Sequence, residues 1–332
     1  MSSAATSNSA GPRILVVRLG AMGDIIHALP AVASLRHSFP NSHLTWLIEP
    51  QWAQLLDGNP YVDSVAILER GSPRAWMETR RKLRAAGRFD FAVDFQGLIK
   101  SAIAASLARP DRIFGLHQAQ VRERPAALFY SNRIQTHAAH IVERNLEMAA
   151  AAGAANMLRT FPLPDGAPEG SLPKSGFVLA CPFAGWRSKQ WPLMFYSRLA
   201  VRLERELEMP LVLNGPPGAD FSSVIDAVPH CSSIAGLIHA TRRATAVIGV
   251  DSGPMHLAAA LGKPGVAIFG PTDPARNGPY GESICVLRSP GAVTTYKRVS
   301  TIDSAMRDID PDRVFEALKA QLSRCSTQCA AP

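Results

Sequence analysis

Two patterns alternate along this chain. Arg13 to Arg18 (RILVVR), His43 to Glu49 (HLTWLIE), Val65 to Leu68 and Phe89 to Asp94 (FDFAVD) are short, nearly unbroken apolar runs. Helix-like segments separate them, with Ile25 to His37 the clearest. Strands apolar on both faces, alternating with helices, predict a parallel sheet covered on both sides. A long helix is expected over Ala138 to Ala152. The pattern then breaks: Gly153 to Ser175 carries Pro162, Pro164, Pro168 and Pro173 without a clear period and reads as a linker.

After this break the alternation restarts. Gly176 to Cys181, Pro210 to Asn214, Ala246 to Val250 and Gly265 to Phe269 read as strands, and Pro192 to Glu206 and Pro254 to Leu261 as helices. A final helix, Pro311 to Leu322, opens on Asp310-Pro311, a capping acid followed by a residue suited to the first turn. The expected organisation is a loose tail over 1–12, an α/β domain over 13–160, a linker over 161–175, a second α/β domain over 176–322, and a tail over 323–332. The last helix is a candidate to pack back on the first domain. Two such units suggest ligand binding in a cleft between them.

Composition narrows the class. With 332 residues, 47% of them hydrophobic, the chain can bury two cores, and 19% charged residues do not suit a disordered or coiled-coil protein. The formal net charge of +8 calls for an acidic partner. Arg80-Arg81-Lys82 with Arg84 and Arg88 is a short, interrupted cluster with no nucleic-acid motif beside it, and reads as a solvated helix face. Of the five cysteines, Cys181 and Cys285 sit in apolar runs as small core residues. Cys325 and Cys329 lie in a polar tail with no histidine cluster to complete a zinc site. An odd count without framework spacing suits a reducing compartment. The N-terminal MSSAATSNSAGP lacks the apolar core of a signal peptide, and no run approaches the roughly 18 apolar residues of a membrane span. A cytoplasmic protein is expected.

Candidate chemistry falls where strands end. GVDSGPMHLAAALG (249–262) places Asp251-Ser252-Gly253 between a strand and a helix, where free N–H groups and the positive dipole end seat a phosphate. Asp251 or Ser252 reads equally as a cap for that helix. Gly20-Ala-Met-Gly23-Asp24 follows the first strand but lacks the three-glycine dinucleotide spacing. Asp24 reads either as a helix cap or as a general base. Lys189, just before Trp191-Pro192, can neutralise a phosphate as a point charge or be an ordinary surface lysine. The turn-rich Gly270-Pro-Thr-Asp-Pro is expected to form a wall without chemistry of its own.

These segments together resemble the ADP-heptose:lipopolysaccharide heptosyltransferases, glycosyltransferase family 9. The resemblance is carried by MGDIIHALPA (22–31), FAVDFQGLIKSA (91–102), RERPAALFY with HIVERN (122–145), SKQWP (188–192), GVDSGPMHLAAALGKPGVAIFGPTDP (249–274) and MRDIDPDRVFEAL (306–318). RERPAALFY and HIVERN are most similar to the members that add the first heptose to the Kdo-lipid A stem. The resemblance implies a GT-B fold, two Rossmann-like domains facing across a cleft, and an inverting, metal-independent transfer of heptose from ADP-heptose with no cofactor. It implies Asp24 as catalytic base and Lys189 as the phosphate lysine. Met22, Gly23, Gly185, Asp251, Ser252, Gly253 and His256 would bind the donor. Gln96, Lys100, Arg122, Arg124 and Arg144 would bind an acidic glycolipid acceptor at the anionic cytoplasmic face of the inner membrane of a Gram-negative-type bacterium. His256 reads equally as a structural histidine. Two departures loosen the donor's identity: Phe183-Ala184-Gly185 and Gly20-Ala21 stand where the family often has hydroxyl residues, so phosphate contact at 183–185 would come from backbone N–H groups. Addition of a later heptose, use of another nucleotide sugar, or a nucleotide-binding protein without turnover are the alternatives.

Overall fold

The structure, a computed structural model, describes residues 11–69 and 71–329; most of the expected N-terminal tail and the side chains of Cys325 and Cys329 lie outside the described residues. By packing, the chain divides into two units. The first comprises the chain up to Gly20, His27–Ala138 and Val142–Pro162; the second comprises Ala21–Ile26, Ala139–Ile141 and the chain from Leu163.

The first unit contains β1 (Arg13–Val17), α1 (Met22–Ser38), β2 (His43–Ile48), β3 (Ser64–Ile67), α2 (Pro73–Ala85), β4 (Phe91–Asp94), α3 (Ile99–Leu107), β5 (Arg112–Leu116), β6 (Asn132–Ile134) and α4 (Ile141–Ala151), α1 and α4 each lending their first residues to the second unit. All strands are parallel, in the order β3-β2-β1-β4-β5-β6. β1 lies at the centre, where helices cover both faces, so Ile14, Leu15, Val16 and Val17 are all fully buried. α1 is apolar nearly all round for the same reason. It carries Pro30 in its interior, and the Ser34 hydroxyl donates back to the Pro30 carbonyl at 2.7 Å. Residues 11 and 12 are already ordered against the sheet, since the His43 N–H donates to the Pro12 carbonyl. The basic residues of α2 are exposed, with Thr79 and Leu83 on its buried side.

The second unit repeats this plan with β7 (Val178–Cys181), α5 (Leu193–Leu207), β8 (Leu211–Gly215), β9 (Ala227–Cys231), α6 (Ile234–Arg243), β10 (Ala246–Val250), α7 (Gly253–Ala260), β11 (Gly265–Phe269), α8 (Pro274–Asn277), β12 (Ile284–Arg288), α9 (Ser304–Arg307) and α10 (Pro311–Cys329). Its order, β12-β11-β10-β7-β8-β9, is the first sheet's order read from the other edge. Each sheet therefore has the doubly wound order in which the first and fourth strands of the half are neighbours.

Two expectations need adjustment. The segment expected as a linker packs onto α6 from Leu163 onward. Arg242 donates to the Leu163 and Pro164 carbonyls, and Glu169 accepts from Ser233 N–H at 2.7 Å. The final helix runs on to Cys329, because no glycine or proline interrupts it after Pro311. It packs on α5, β11 and β12 of its own unit.

Candidate active site

In the second sheet the strand order reverses between β7 and β10, and loops leaving a pair of strands at such a switch point hold the ligands of open α/β folds. β7 leads through Phe183-Ala184-Gly185 into a 3-10 turn, Arg187–Lys189, and then α5. β10 leads through Asp251 and Ser252 directly into α7. Sequence places Lys189 and Asp251 62 residues apart; topology brings their side chains to 2.5 Å, Nζ to Oδ2. The turn is fixed from behind: the Ser188 carbonyl accepts from the Asp303 N–H at 3.3 Å, and the Trp191 Nε1–H donates to the Ile309 carbonyl at 2.8 Å. Lys189 Nζ also lies 4.5 Å from the Trp186 ring centroid, a cation–π placement.

Asp251 is 7% exposed, as is His256. The Thr272 hydroxyl donates to Asp251 Oδ2 at 2.7 Å, and His256 Nε2 stands 3.7 Å from Oδ1. The 270–274 loop therefore supplies a direct partner to the central carboxylate and is more than a wall; a buried threonine hydroxyl after β11 has that oxygen as its acceptor. Burial alone would push the Asp251 pKa up. The close approach of His256 and the Lys189 ammonium with its hydrogen bond outweigh burial and hold it well below the usual carboxylate range. The charge on Asp251 is thus fixed.

Neither Asp251 nor Ser252 caps α7. The Asp251 oxygens go to Lys189, Thr272 and His256. Ser252 Oγ is buried, accepts from no N–H of the first turn, and has no hydrogen-bond partner among the described residues. A helix start with an uncapped first turn and an available hydroxyl is an anion seat. Gly185 faces open space, since a Cβ there would meet nothing within 4 Å, which suits backbone contact with a ligand.

The Ala21–Ile26 turn packs as part of this unit. A Cβ on Gly253 would come within 2.7 Å of the Met22 side chain, and one on Gly23 would strike the His256 ring. Both glycines are there for close approach, and His256 serves as a packing surface as well as a neighbour of Asp251. Asp24, half-buried in the first turn of α1, accepts from the Ala21 N–H at 3.3 Å, so a capping role is real. A carboxylate has about four lone-pair sites on its two oxygens, so this capping contact does not preclude a role as base.

In the first unit the corresponding switch point lies between β1 and β4. Asp94 ends β4 and is fully buried, accepting from Ser101 Oγ (2.8 Å), Tyr130 Oη (2.7 Å) and the Gln96 (2.9 Å) and Gly97 (3.3 Å) N–H groups. Burial dominates and raises its pKa against those hydrogen bonds. Asp94, to which the sequence pattern gives no role, shapes the 95–98 turn and the start of α3. Gln96 Oε1 is occupied by the Leu19 N–H at 2.7 Å, and Lys100 Nζ pairs with the buried Glu49 at 3.0 Å. The 120–125 loop is tied to the same turn, the Glu123 N–H donating to the Gly97 carbonyl and Glu123 Oε2 accepting from the Ile99 N–H. This brings Arg122 and Arg124, both exposed, to the edge that carries Gln96 and Lys100. Arg144 is linked more remotely, through Thr136, to Gln120 of that loop.

A cavity of about 170 Å³ adjoins the start of α7. Phe183, Ile234 and Leu237 give it apolar walls, Asn214 and Ser232 its polar side, and Pro254 joins it to the anion seat. Cys181 also lines it, with its thiol pushed up to about 12 by burial. Among the described residues no three His, Cys, Asp or Glu side chains form a metal-ligand cluster, and no helix is long and apolar enough to cross a membrane.

Comparison with known proteins agrees with this geometry. The profile of glycosyltransferase family 9 (heptosyltransferase) matches residues 76–304. Lipopolysaccharide heptosyltransferase 1 of Pseudomonas aeruginosa is 28% identical over 299 residues, covering 82% of this chain and 82% of its own length. Lipopolysaccharide heptosyltransferase 1 of Escherichia coli K12 is 27% identical over 311 residues, covering 84% of this chain and 94% of its own. The solved structure of E. coli heptosyltransferase WaaC with ADP superposes with a TM-score of 0.73 at 24% identity, covering 93% of this chain and 99% of that one, which identifies the fold as GT-B. Since the family profile spans most of the chain, including both the Lys189 turn and the Asp251 junction, this chain is a member of glycosyltransferase family 9, the heptosyltransferases.

Proposed function

We propose that this heptosyltransferase moves heptose from ADP-L-glycero-D-manno-heptose to the Kdo-lipid A inner core in one inverting displacement, at the cytoplasmic face of the inner membrane of a Gram-negative bacterium. The observation that carries this reading is the buried Asp251 carboxylate, held ionised by Lys189, Thr272 and His256 beside the uncapped start of α7. A diphosphate and the hydroxyl-rich sugar attached to it need a cation, free N–H groups and an acceptor side by side. The relatives named as acting on lipopolysaccharide, and a neighbour solved with ADP, support the same substrates.

Each residue then has a task. The diphosphate sits on the α7 start, on Ser252 and Gly253, with backbone contact from Gly185 and one Lys189 N–H. The nucleoside enters the adjoining cavity, and Asp251 accepts hydrogen bonds from heptose hydroxyls. Asp24 takes the proton of the acceptor hydroxyl as that oxygen attacks the anomeric carbon. The bond from that carbon to the ADP oxygen breaks, and the electron pair leaves on the diphosphate. Negative charge grows there during the step, so the Lys189 charge and the helix dipole stabilise the transition state more than the ground state. Charge compensation is assigned to these fixed groups, with no metal ion. Arg122 and Arg124, with Lys100, Gln96 and Arg144, are the acceptor-binding set, arginine forks suiting phosphate and carboxylate groups.

The test is to incubate purified protein with a Kdo-bearing lipid acceptor and, in parallel, ADP-heptose, ADP-glucose and UDP-sugars, following nucleotide release and product mass. ADP-heptose alone should be consumed, with a product heavier by one heptose. Consumption of another sugar, a requirement for an acceptor that already carries heptose, or binding without turnover would each select a different reading.

A further inference from the structure

The cavity beside Pro254 has a polar side that the proposed chemistry does not use. Asn214 sits on β8 directly across from His230 on β9. Its Nδ2 lies 2.8 Å from His230 Nδ1, 3.2 Å from the His230 carbonyl oxygen and 2.8 Å from Ser232 Oγ. A carbonyl can only accept, so the amide must turn its NH₂ toward this group and its Oδ1 away from it. The other side of the imidazole demands the same. His230 Nε2 is 2.7 Å from the Glu169 carbonyl, so Nε2 carries the hydrogen and Nδ1 accepts from Asn214. Glu169 is itself pinned, its carboxylate accepting from the Ser233 N–H at 2.7 Å and the Ser233 hydroxyl at 2.5 Å. The orientation of Asn214 is therefore set by a chain of contacts running back into the 163–175 segment.

What remains is Asn214 Oδ1, the acceptor of a side chain that lines the cavity, to which no described residue donates. An acceptor beside Phe183, Ile234 and Leu237 loses its water when a ligand fills the cavity and then needs a donor on that ligand. On the reading that this cavity takes the nucleoside of the donor, we infer that Asn214 Oδ1 receives the exocyclic amino group of the base and selects a 6-aminopurine. A 6-oxopurine or uracil presents a carbonyl oxygen at the equivalent edge, which would face Oδ1 as acceptor against acceptor. Asn214 is then a specificity-determining residue, and His230 and Glu169 are positioning residues behind it.

The experiment is calorimetric titration of the full chain, wild type and Asn214→Ala, with ADP, inosine 5′-diphosphate and purine-riboside 5′-diphosphate. The last lacks the amino group and puts nothing larger in its place. Wild type should bind ADP about 10- to 100-fold more tightly than either analogue, as sites built to hydrogen-bond a group discriminate against its absence. In Asn214→Ala the gap should close to about twofold, mostly through lost affinity for ADP. Equal binding of ADP and purine-riboside diphosphate by wild type would overturn the inference, as would a folded Asn214→Ala that keeps the preference. If the variant does not fold, the wild-type series decides alone. Failure of wild type to bind any of the three at millimolar concentration would overturn the nucleotide reading itself, a result distinct from binding without selectivity.

Discussion

Lys189 has three hydrogens on Nζ and gives one to Asp251 at 2.5 Å, which leaves donors for a diphosphate while its charge remains fixed in place. Asp24 is the complementary case, a half-buried carboxylate whose Oδ2 accepts from the Ala21 N–H at 3.3 Å. Asp24→Asn keeps the shape and the cap but cannot take a proton. It should lower the transfer rate by about 10²- to 10⁴-fold, while ADP affinity measured by calorimetry stays within a few-fold. Near-normal turnover would remove Asp24 as the base. Asp251 has its own signature. Its pKa is lower folded than unfolded, so its ionised form favours folding. That contribution is present above about pH 4 and is lost as the pH falls from there toward the folded value. Denaturant midpoints at pH 6 and pH 3 should therefore differ more for wild type than for Asp251→Asn; equal differences would show that the network does not stabilise the charge.

The elements that hold these side chains depend on ordinary packing. Trp191 is buried at the junction of the Lys189 turn with α5, edge-on to Tyr196 at 4.9 Å and Phe195 at 5.3 Å, with its N–H on the Ile309 carbonyl. Trp191→Ala removes a large core side chain and leaves that carbonyl unpaired. Chemical denaturation should show a loss of about 3–5 kcal/mol, and the rate of the folded fraction should fall because the turn behind Lys189 is released. A loss below about 1 kcal/mol would mean the turn is held elsewhere. The pattern that revealed the elements was strongest where burial is greatest. β1, β10 and β11 are apolar on both faces and lie where the hydropathy places them, whereas β9, an edge strand, contains Pro229 and two exposed positions and carries no such pattern. The same limit applied to the site. Asp24, Lys189 and Asp251 were legible because each interrupts an apolar strand-to-helix passage. Thr272, Asp94 and Asn214 were not, because a lone polar residue in a turn or at a strand end gains its meaning from a partner distant in sequence: Asp251 for Thr272, Tyr130 for Asp94, His230 for Asn214.

At the scale of the whole chain, a formal charge of +8 has to be reconciled with a substrate. Arg122 and Arg124 are exposed, and Glu123 between them is engaged by the Ile99 N–H. Screening over about 8–10 Å should make such contacts sensitive to salt. Raising the salt, or replacing both arginines by alanine, should raise the KM for the glycolipid several-fold and leave that for the donor nearly unchanged. Equal effects on both substrates would remove these arginines from the acceptor site. Metal removal is the complementary test: if, as proposed, Lys189 and the α7 start carry the diphosphate, EDTA should leave the rate unaltered, and a loss restored by Mg²⁺ would assign that role to a cation. The cavity wall has one further consequence, for covalent inhibitors. Cys181 faces the proposed nucleoside space, so an electrophile attached to an adenosine analogue would be delivered beside it. Yet a thiol whose pKa lies near 12 is almost wholly protonated at neutral pH, and alkylation proceeds through the thiolate. Cys231, exposed at the end of β9, is the more accessible thiol, so warheads aimed at this pocket should be chosen for a target other than cysteine, or they will decorate the edge of the sheet and leave the pocket unmodified.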